Sequence, residues 1–341
     1  MRYMRTKRKL NLNIDLWIVL LLAFVVLTAS CQKTETFTGP KEKVTIGIGS
    51  GGLPIPFIIA REKGFFRDVG VDATVRIYPS AIKSNDAMFA GEIDISCIGD
   101  IQIVMQSFMR DDFSVIATYA SSNDNIKVIG RKDSGFDKPE DLKGKIIGTP
   151  DAVGTHFFLN VYLTEHGIDP SAIKIVTLSP MELPEALGEG KVDAIVIYEP
   201  YASMAMKSLP DQAIKLPRSN LYKQTFNLAV MRSYTKAHAD VLKKILKAVD
   251  RAILFIEQNG DESIAIVNNS LKPGEDLLVS SQDDLVFELS LEHSLFTILE
   301  DEARWAIATK FTEKTKVPNY LGYFYLDALK AVKPKDVSIV I

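Results

Sequence analysis

The sequence predicts an α/β protein of two doubly wound lobes that are joined by a hinge and separated by a cleft. Short runs of β-branched residues alternate with amphipathic stretches from about residue 44, and the same alternation returns from about residue 146. Two segments of the chain also resemble each other. Alternating strands and helices favour parallel sheets with right-handed crossovers. Two such series in one chain therefore predict two sheets of similar construction.

The predicted elements follow the spacing of apolar residues. In the first half we expect strands at residues 44–48, 73–78, 93–98 and 115–119, with helices at residues 54–63, 84–90 and 101–110. In the second half we expect strands at residues 146–148, 173–178 and 192–198, with helices at residues 155–166 and 183–188. After about residue 237 the pattern is mostly helical, with long amphipathic runs at residues 239–259 and 283–309.

An internal repeat supports the prediction of two lobes. Residues 87–100 align without a gap on residues 186–199. The alignment matches Gly91 with Gly190, Asp94 with Asp193, and Asp100 with Glu199. Each glycine suits the end of a helix, where a positive φ is needed, and the apolar run after it suits a buried parallel strand. Two similar lobes explain the repeat most simply, and chance similarity between common βαβ units is the alternative.

The first thirty residues have the layout of an export signal. Five basic residues precede an apolar run at residues 16–27, which is about twelve residues long. A membrane-spanning helix needs roughly twenty residues, so this run indicates a secretory signal peptide at residues 1–30. Thr28, Ala29 and Ser30 stand directly before Cys31. This arrangement resembles the bacterial lipobox, although Thr28 occupies the position of its usual leucine.

The lipobox resemblance implies that Cys31 is diacylated and becomes the new N-terminus, with residues 31–43 as a lipidated tether. The protein would then be extracytoplasmic and anchored to the cell membrane. An ordinary cleaved signal peptide with an unrelated cysteine is the alternative. With lipid on Cys31, Cys97 has no partner for a disulfide, and we interpret it as a small buried hydrophobe within a strand.

The charge of the exported part argues against nucleic acid as a partner. Residues 31–341 contain 35 basic and 42 acidic residues, so their net charge is near −7. Nucleic-acid binding favours a basic patch instead. The length suits a two-lobed domain. We expect the first series of elements to belong to lobe 1 and the second series to belong to lobe 2.

The predicted topology places a ligand site between the lobes. In open α/β sheets, ligands bind beyond the carboxyl ends of the strands and at helix N-termini. In lobe 1 the expected contacts are Ser50, Gly51, Gly52, Leu53, Ser80 and Asp100. In lobe 2 they are Thr149, Gly154, Thr155, His156, Ser179 and Glu199. Two sets that face each other describe a cleft that can close on a small molecule.

Other functional signals in the sequence are weaker. Residues 47–52 fit the G-x-G-x-x-G pattern of dinucleotide-binding loops, but the second strand ends without the acidic residue that would hold a ribose. The 4 histidines lack paired ligand spacing, and no G-x-S-x-G or H-E-x-x-H motif is present in the sequence. We therefore expect no metal, no cofactor and no catalytic residue.

Six short motifs carry a resemblance to a known family. They are VTIGIG at residues 44–49, KGFF at 63–66, AGEID at 90–94, DLKGKIIG at 141–148, EALGEGKVDA at 185–194 and YEPYA at 198–202. In this order and spacing the chain resembles the solute-binding lipoproteins of ABC importers in the nitrate/sulfonate/taurine group, which also includes thiamine-pyrimidine receptors.

The resemblance implies a periplasmic-binding-protein type II fold and a receptor that binds its solute without altering it. It further implies two crossing segments, near residues 120–127 and 221–228, and a helical C-terminal segment packed on lobe 1. Lobe 1 would then consist of residues 44–122 and 226–341, and lobe 2 of residues 123–225. The expected partners are a small solute and the permease and ATPase subunits of an importer, and the receptor itself is expected to be a monomer. Solute capture would follow from closure of the hinge.

The candidate contact residues are compatible with more than one charge of the solute. Asp100 and Glu199 either cap helices or accept hydrogen bonds from an ammonium or ring N–H group of the ligand. The helix starts near Gly52 and Thr155 offer positive dipole ends to an oxyanion. A zwitterion such as taurine would satisfy both signs at once. A plain sulfonate would be repelled by the two acids unless they point away, and a neutral pyrimidine would use them as hydrogen-bond acceptors. A sensory or enzymatic module on the same fold is the remaining alternative to a transport receptor.

Overall fold

The first of two β-sheets takes its strands from both ends of the chain. The computed structural model describes residues 37–151, 153–271 and 285–340. The strands of this sheet are β1 (Glu42–Gly49), β2 (Val71–Tyr78), β3 (Ile95–Gly99), β4 (Phe113–Ser122), β10 (Gln224–Met231) and β11 (Val286–Ser290). They lie in the order β11-β4-β10-β3-β1-β2. The helices that connect them are α1 (Ile55–Glu62), α2 (Phe65–Asp68), α3 (Ala81–Phe89) and α4 (Asp100–Ser107).

The second sheet is built from the middle of the chain. Its strands are β5 (Ile126–Arg131), β6 (Ile146–Thr149), β7 (Lys174–Thr177), β8 (Ala194–Tyr198) and β9 (Ala213–Lys215). They lie in the order β7-β6-β8-β5-β9. The helices between them are α5 (Val153–Glu165), α6 (Leu183–Gly188) and α7 (Tyr201–Ser208).

Each sheet is completed by an antiparallel strand that follows a crossing segment. In the first sheet β1 is parallel to β2 and β3, whereas β10 runs antiparallel to β3 and β4. In the second sheet β6 is parallel to β7 and β8, whereas β5 runs antiparallel to β8 and β9. The chain crosses between Ser122 and Ile126 and returns between Lys215 and Gln224. The two sheets therefore have corresponding strand orders, as the repeat predicts.

The internal repeat has the same structural role in both sheets. Both of its glycines adopt a positive φ where a helix ends. A carboxylate oxygen of Asp94 accepts a hydrogen bond from the backbone amide of Thr45 over 2.8 Å. In the same way, Asp193 accepts from the backbone amide of Ile146 over 2.8 Å. Each aspartate thus fastens the start of its strand to the neighbouring parallel strand.

The remaining helices lie after the second crossing. They are α8 (Arg232–Ala237), α9 (Ala239–Gln258), α10 (Gly260–Ser270), α11 (His293–Ala308) and α12 (Asp327–Val332). The buried face of α9, which includes Leu242 and Leu246, belongs to the apolar core of the first sheet. Trp305 of α11 packs against that core and also against a core of the second sheet. None of the described helices has the length and hydropathy that crossing a bilayer requires.

The helical prediction for residues 283–309 is wrong at its start. Val286–Ser290 form β11, and α11 begins only at His293. The strand pairs antiparallel with β4. This pairing partner is distant in sequence, so local periodicity does not reveal it. The strands β5, β9 and β10 are likewise absent from the prediction, because each of them pairs with strands that are distant in sequence.

Candidate functional site

A cavity of about 750 Å³ lies between the two sheets. Its walls come from the loops that follow β1, β2 and β3 on one side and β6 and β8 on the other. Residues of both crossing segments also line it. Ligands of open α/β sheets bind at this edge, and a cavity of this size is within the range that holds small organic molecules.

Four helices direct their N-termini at the cavity. The first turns of α3, α4, α5 and α7 contribute Ala81, Gln102, Gly154 and Tyr201 to the lining. Parallel strands that each lead into a helix bring these starts to one edge of the sheets. The unpaired backbone N–H groups at a helix start carry partial positive charge. The positive ends of four helix dipoles therefore face the cavity, while the amides of Lys83 and Ser203 already donate to Ser80 and Glu199.

The loop after β1 contributes closely packed backbone to the cavity wall. A Cβ atom on Gly49 would lie 2.6 Å from the backbone nitrogen of Ala81, so only glycine allows this strand to approach the start of α3. Gly51 has a φ of 87°, which favours glycine. The Ser50 hydroxyl donates to the carbonyl oxygen of Pro79 over 2.8 Å, and this bond ties the loop to the end of β2.

The side chains of the cavity wall are mainly apolar or aromatic. The larger ones are Leu53, Ile77, Tyr78, Ile82, Met105, Tyr198, Tyr201 and Phe226. Within residues 37–151, 153–271 and 285–340, the only charged side chains of the lining are Asp151 and Glu199, and none is cationic. An anionic ligand would therefore have to be held by backbone amides and neutral donors rather than by a lysine or arginine.

Glu199 is a lining residue whose charge is balanced by a buried lysine. Its carboxylate lies 3.0 Å from Nζ of Lys127, and the two side chains are 4% and 8% exposed. It also accepts a hydrogen bond from the backbone amide of Ser203 over 3.1 Å, which satisfies a donor in the first turn of α7. The capping interpretation of Glu199 thus has structural support, although the side chain remains at the cavity wall.

Eight of the predicted contact residues line the cavity together: Ser50, Gly51, Gly52, Leu53, Ser80, Gly154, Thr155 and Glu199. As contacts with a ligand they stay predictions. Ser80 also caps α3, because its hydroxyl accepts from the backbone amide of Lys83 over 3.3 Å. The repeat of βα units therefore located much of the wall correctly.

Three other predicted contacts lie outside the cavity wall that the structure describes. Thr149 is fully buried beneath it, and its hydroxyl donates to that of Thr155 over 3.1 Å. His156 turns away from the cavity, and its ring packs 5.4 Å from that of Phe311. Burial lowers the pKa of His156. Ser179 is exposed, and its backbone amide donates to the carboxylate of Glu182 over 2.9 Å.

Asp100, the fourth such residue, is fully buried and faces the second crossing segment. Its carboxylate accepts hydrogen bonds from the backbone amide of Thr225 and from the Tyr222 hydroxyl, over 2.8 Å and 3.2 Å. It also accepts from the amide of Ile101 over 2.8 Å. Burial raises the pKa of Asp100 to about 6. Asp100 therefore fastens α4 to the returning chain instead of meeting the cavity.

A second buried carboxyl group lies close to Asp100. Glu302 of α11 is fully buried, and neither of its carboxylate oxygens has a hydrogen-bond partner among the described residues. Burial and the nearby charge of Asp100 raise the pKa of Glu302 well above its usual value. The two carboxyl groups belong to the packing between α4, α11 and the crossing segment.

The amide side chains of the wall were not among the predicted contacts. Asn85, Gln102, Gln106, Asn125 and Gln224 all line the cavity. Gln102 follows Gly99 by three residues, the spacing at which a glutamine side chain can bond back to the N-cap amide. That spacing is a sequence signal that could have been used. Cys97 is buried as predicted, and its sulfur accepts from the Tyr119 hydroxyl over 3.0 Å.

The described part of the chain contains no group of three or more His, Cys, Asp or Glu side chains that could hold a metal ion. Cys31 and the rest of the predicted signal peptide lie outside the described residues. The groups that line the cavity are backbone donors, neutral amides, hydroxyls, aromatic rings and the carboxylates of Asp151 and Glu199.

Comparison with known proteins connects this geometry to a family. The sequence profile of the NMT1/THI5-like family matches residues 54–263. A Bacillus subtilis (strain 168) protein that carries the name of an aliphatic sulfonates-binding protein is 27% identical over 288 residues, which cover 79% of this chain and 86% of that protein.

Solved structures show the same fold. The periplasmic aliphatic sulphonate binding protein SsuA from Escherichia coli superposes with a TM-score of 0.68 at 18% identity, and the match covers 81% of this chain and 95% of that chain. SsuA from Xanthomonas axonopodis pv. citri, solved with bound MOPS, gives a TM-score of 0.64 at 18% identity. That match covers 85% of this chain and 100% of that chain. The prediction of a periplasmic-binding-protein fold is confirmed.

Proposed function

The chain belongs to the NMT1/THI5-like family, and we propose that it is an extracytoplasmic receptor that binds a small organic sulfonate between its two sheets. The observation that carries this proposal is the cavity of about 750 Å³, which four helix N-termini face and apolar side chains surround. The name of the Bacillus subtilis relative and the MOPS-bound Xanthomonas structure support a sulfonate as the ligand.

The two parts of a sulfonate match the two kinds of surface in the cavity. Its oxygens would accept hydrogen bonds from backbone N–H groups at the starts of α3 and α5, where partial positive charge favours an anion. Its organic part would lie against Tyr78, Tyr198 and Phe226. Because the two charged lining residues are acidic, a sulfonate held in this way would point its oxygens away from Asp151 and Glu199.

Closure of the cavity is the mechanism of capture in this proposal. Residues 44–122 with 226–341 would move as one lobe, and residues 123–225 would move as the other. The ligand favours the closed form only to the extent that it binds that form better than the open one. The closed receptor would then dock on the permease of an ABC importer and release the solute unchanged.

The proposal places the receptor at the outer face of the cell membrane, held by lipid on Cys31. The basic start, the short apolar run and the small residues before Cys31 support export and lipidation. A tethered receptor stays close to its permease, which raises the effective concentration of the docking partner.

A thermal-shift panel tests the ligand class. Purified protein is heated with toluenesulfonate, butanesulfonate, taurine, nitrate or hydroxymethylpyrimidine, each in large excess. A ligand that binds the folded state raises the melting temperature. We expect the two simple sulfonates to give the largest shifts. No shift with any sulfonate would contradict the proposal.

A pyrimidine receptor is the second candidate, and the lining charges favour it. With no cationic side chain in the described wall and Glu199 at the wall, a neutral ring with N–H groups would also find acceptors. In the same panel this candidate predicts a shift with hydroxymethylpyrimidine alone.

A further inference from the structure

Gln102 is a cavity-lining amide whose orientation is determined by its surroundings. Its Oε1 accepts a hydrogen bond from the backbone amide of Gly99 over 3.1 Å and a second from Nδ2 of Asn85 over 3.0 Å. A backbone amide can only donate, so the atom that faces Gly99 must be the oxygen. The Nε2 group is therefore the free end of the side chain, and it has no hydrogen-bond partner among the residues that the structure describes.

Buried residues behind the cavity wall hold this arrangement in place. Because Gln102 Oε1 is an acceptor, Asn85 must present Nδ2 to it, which leaves Oδ1 of Asn85 for the Ser96 hydroxyl at 2.8 Å. The Ser96 hydroxyl in turn lies 2.7 Å from that of Ser84. Ser84, Asn85 and Ser96 are almost completely buried. A buried and satisfied network of this kind allows the glutamine little freedom to rotate.

We propose that Gln102 is a specificity-determining residue, whose Nε2 donates to an acceptor oxygen of the bound solute while Asn85 positions it. This inference rests on the proposed function and adds to it. The oxygen end of the amide is already occupied twice, so the side chain presents only donors to the cavity. Such a group favours an oxyanion and disfavours a ligand that presents N–H groups at the same place.

A purely structural role for Gln102 would be to complete the helix start. Gln102 is the third residue of α4, and its bond to the Gly99 amide is half of a capping box. Glutamate serves equally well at that position of a capping box. The variant Gln102→Glu therefore keeps the acceptor for Gly99, but it replaces the Nε2 donors by a carboxylate oxygen and adds a negative charge. It separates the capping role from the ligand role.

Gln106 provides the matched control. It lies one turn further along α4 and also lines the cavity. Gln106→Glu adds the same negative charge to the same face of the same helix. A general effect of charge on an anionic ligand should therefore weaken binding similarly in both variants, whereas loss of a specific donor should weaken it only in Gln102→Glu.

The experiment measures the affinity of toluenesulfonate by calorimetry for the full protein and both variants. We expect Gln102→Glu to bind toluenesulfonate at least tenfold more weakly than wild type, since a hydrogen bond to a charged group is lost. Its loss of affinity should be at least five times the loss in Gln106→Glu. The melting temperature without ligand should stay within a few degrees of wild type in both variants. Equal losses of affinity in the two variants, or no loss in Gln102→Glu, would overturn the inference about Gln102 but not the proposed function.

A second measurement needs no substitution. In the wild-type protein the side-chain amide resonance of Gln102 should shift on addition of toluenesulfonate, and it should shift more than that of Gln106. An unmoved Gln102 resonance in the saturated complex would overturn the inference. Failure of wild-type protein to bind any sulfonate would overturn the proposed function and this inference with it.

Discussion

The Nδ2 group of Asn125 donates a hydrogen bond to Oε1 of Gln224 over 2.8 Å. Asn125 lies in the segment that carries the chain from the first sheet to the second, and Gln224 begins β10 after the chain returns. Both residues also line the cavity. The floor of the cavity therefore contains a direct link between the two crossing segments, at the place where a hinge between the sheets would bend.

We expect this pair to contribute to ligand binding as a unit. The variants Asn125→Ala, Gln224→Ala and the double variant form a double-mutant cycle for the binding of toluenesulfonate, measured by calorimetry. A neutral hydrogen bond contributes about 1 kcal/mol, so the coupling energy should be of that order. If the changes in binding free energy of the two single variants add up to that of the double variant within about 0.3 kcal/mol, closure does not depend on this hydrogen bond.

Removal of Lys127 should destabilise the fold strongly. Lys127→Met would leave the buried carboxylate of Glu199 without its ammonium partner, which costs on the order of 3 kcal/mol in the free energy of unfolding. The double variant with Glu199→Gln should recover more than half of that loss. Urea unfolding measures both values.

Lys191→Met is the control for that experiment. Lys191 pairs with Glu189 at the surface, and both side chains are largely exposed. Surface ion pairs contribute little, so its effect should stay within about 0.5 kcal/mol. A loss in Lys127→Met as small as that of the control would contradict the interpretation of the buried pair.

Glu302 should make the protein less stable as pH rises. The unfolded state loses the proton of this carboxyl near its ordinary pKa of about 4.3, whereas the folded state retains the proton to higher pH because burial raises its pKa. The free energy of unfolding therefore falls as pH rises above about 4. Glu302→Gln removes this group from titration. Between pH 5 and pH 8, the free energy of unfolding of wild type should therefore fall by at least about 1 kcal/mol more than that of the variant.

Urea unfolding at pH 5 and pH 8 measures the difference. Glu313→Gln is a suitable control, because Glu313 is an exposed carboxyl group after the end of α11 and is not among the charges that raise the pKa of Glu302. This control should keep the pH dependence of wild type. If Glu302→Gln also keeps it, burial does not raise the pKa of Glu302 in the folded state.

Cys31→Ala should release the protein from the membrane and leave its ligand affinity unchanged. The predicted lipid anchor lies outside residues 37–341, which contain the cavity. Membrane and soluble fractions of expressing cells are compared by immunoblot, and affinity is measured on the released protein. Retention of the variant in the membrane fraction would argue against lipidation at Cys31.

Much of the fold was accessible from sequence because its signals are local. The apolar runs of β3 and β8, and the glycine and aspartate that precede each of them, are visible in a short window. The strand β11 was not accessible in this way, because only its pairing with β4, more than 160 residues away, makes Val286–Ser290 a strand. The strands beside the crossings were missed for the same reason.

The site was predictable where backbone topology alone determines it. Ser50, Ser80 and Gly154 reach the cavity because each follows a parallel strand. Asp100 occupies an equivalent position, but hydrogen bonds from Tyr222 and Thr225 turn its carboxylate inward. The orientation of such a side chain depends on contacts with residues more than 120 positions away, and a local sequence pattern does not predict them.

Native mass spectrometry of the purified protein with toluenesulfonate tests most directly whether the cleft holds a sulfonate without altering it. We predict a complex of one solute per protein chain, from which the solute is recovered with its original mass after prolonged incubation. Absence of a complex at saturating toluenesulfonate, or recovery of a chemically changed product, would contradict the account.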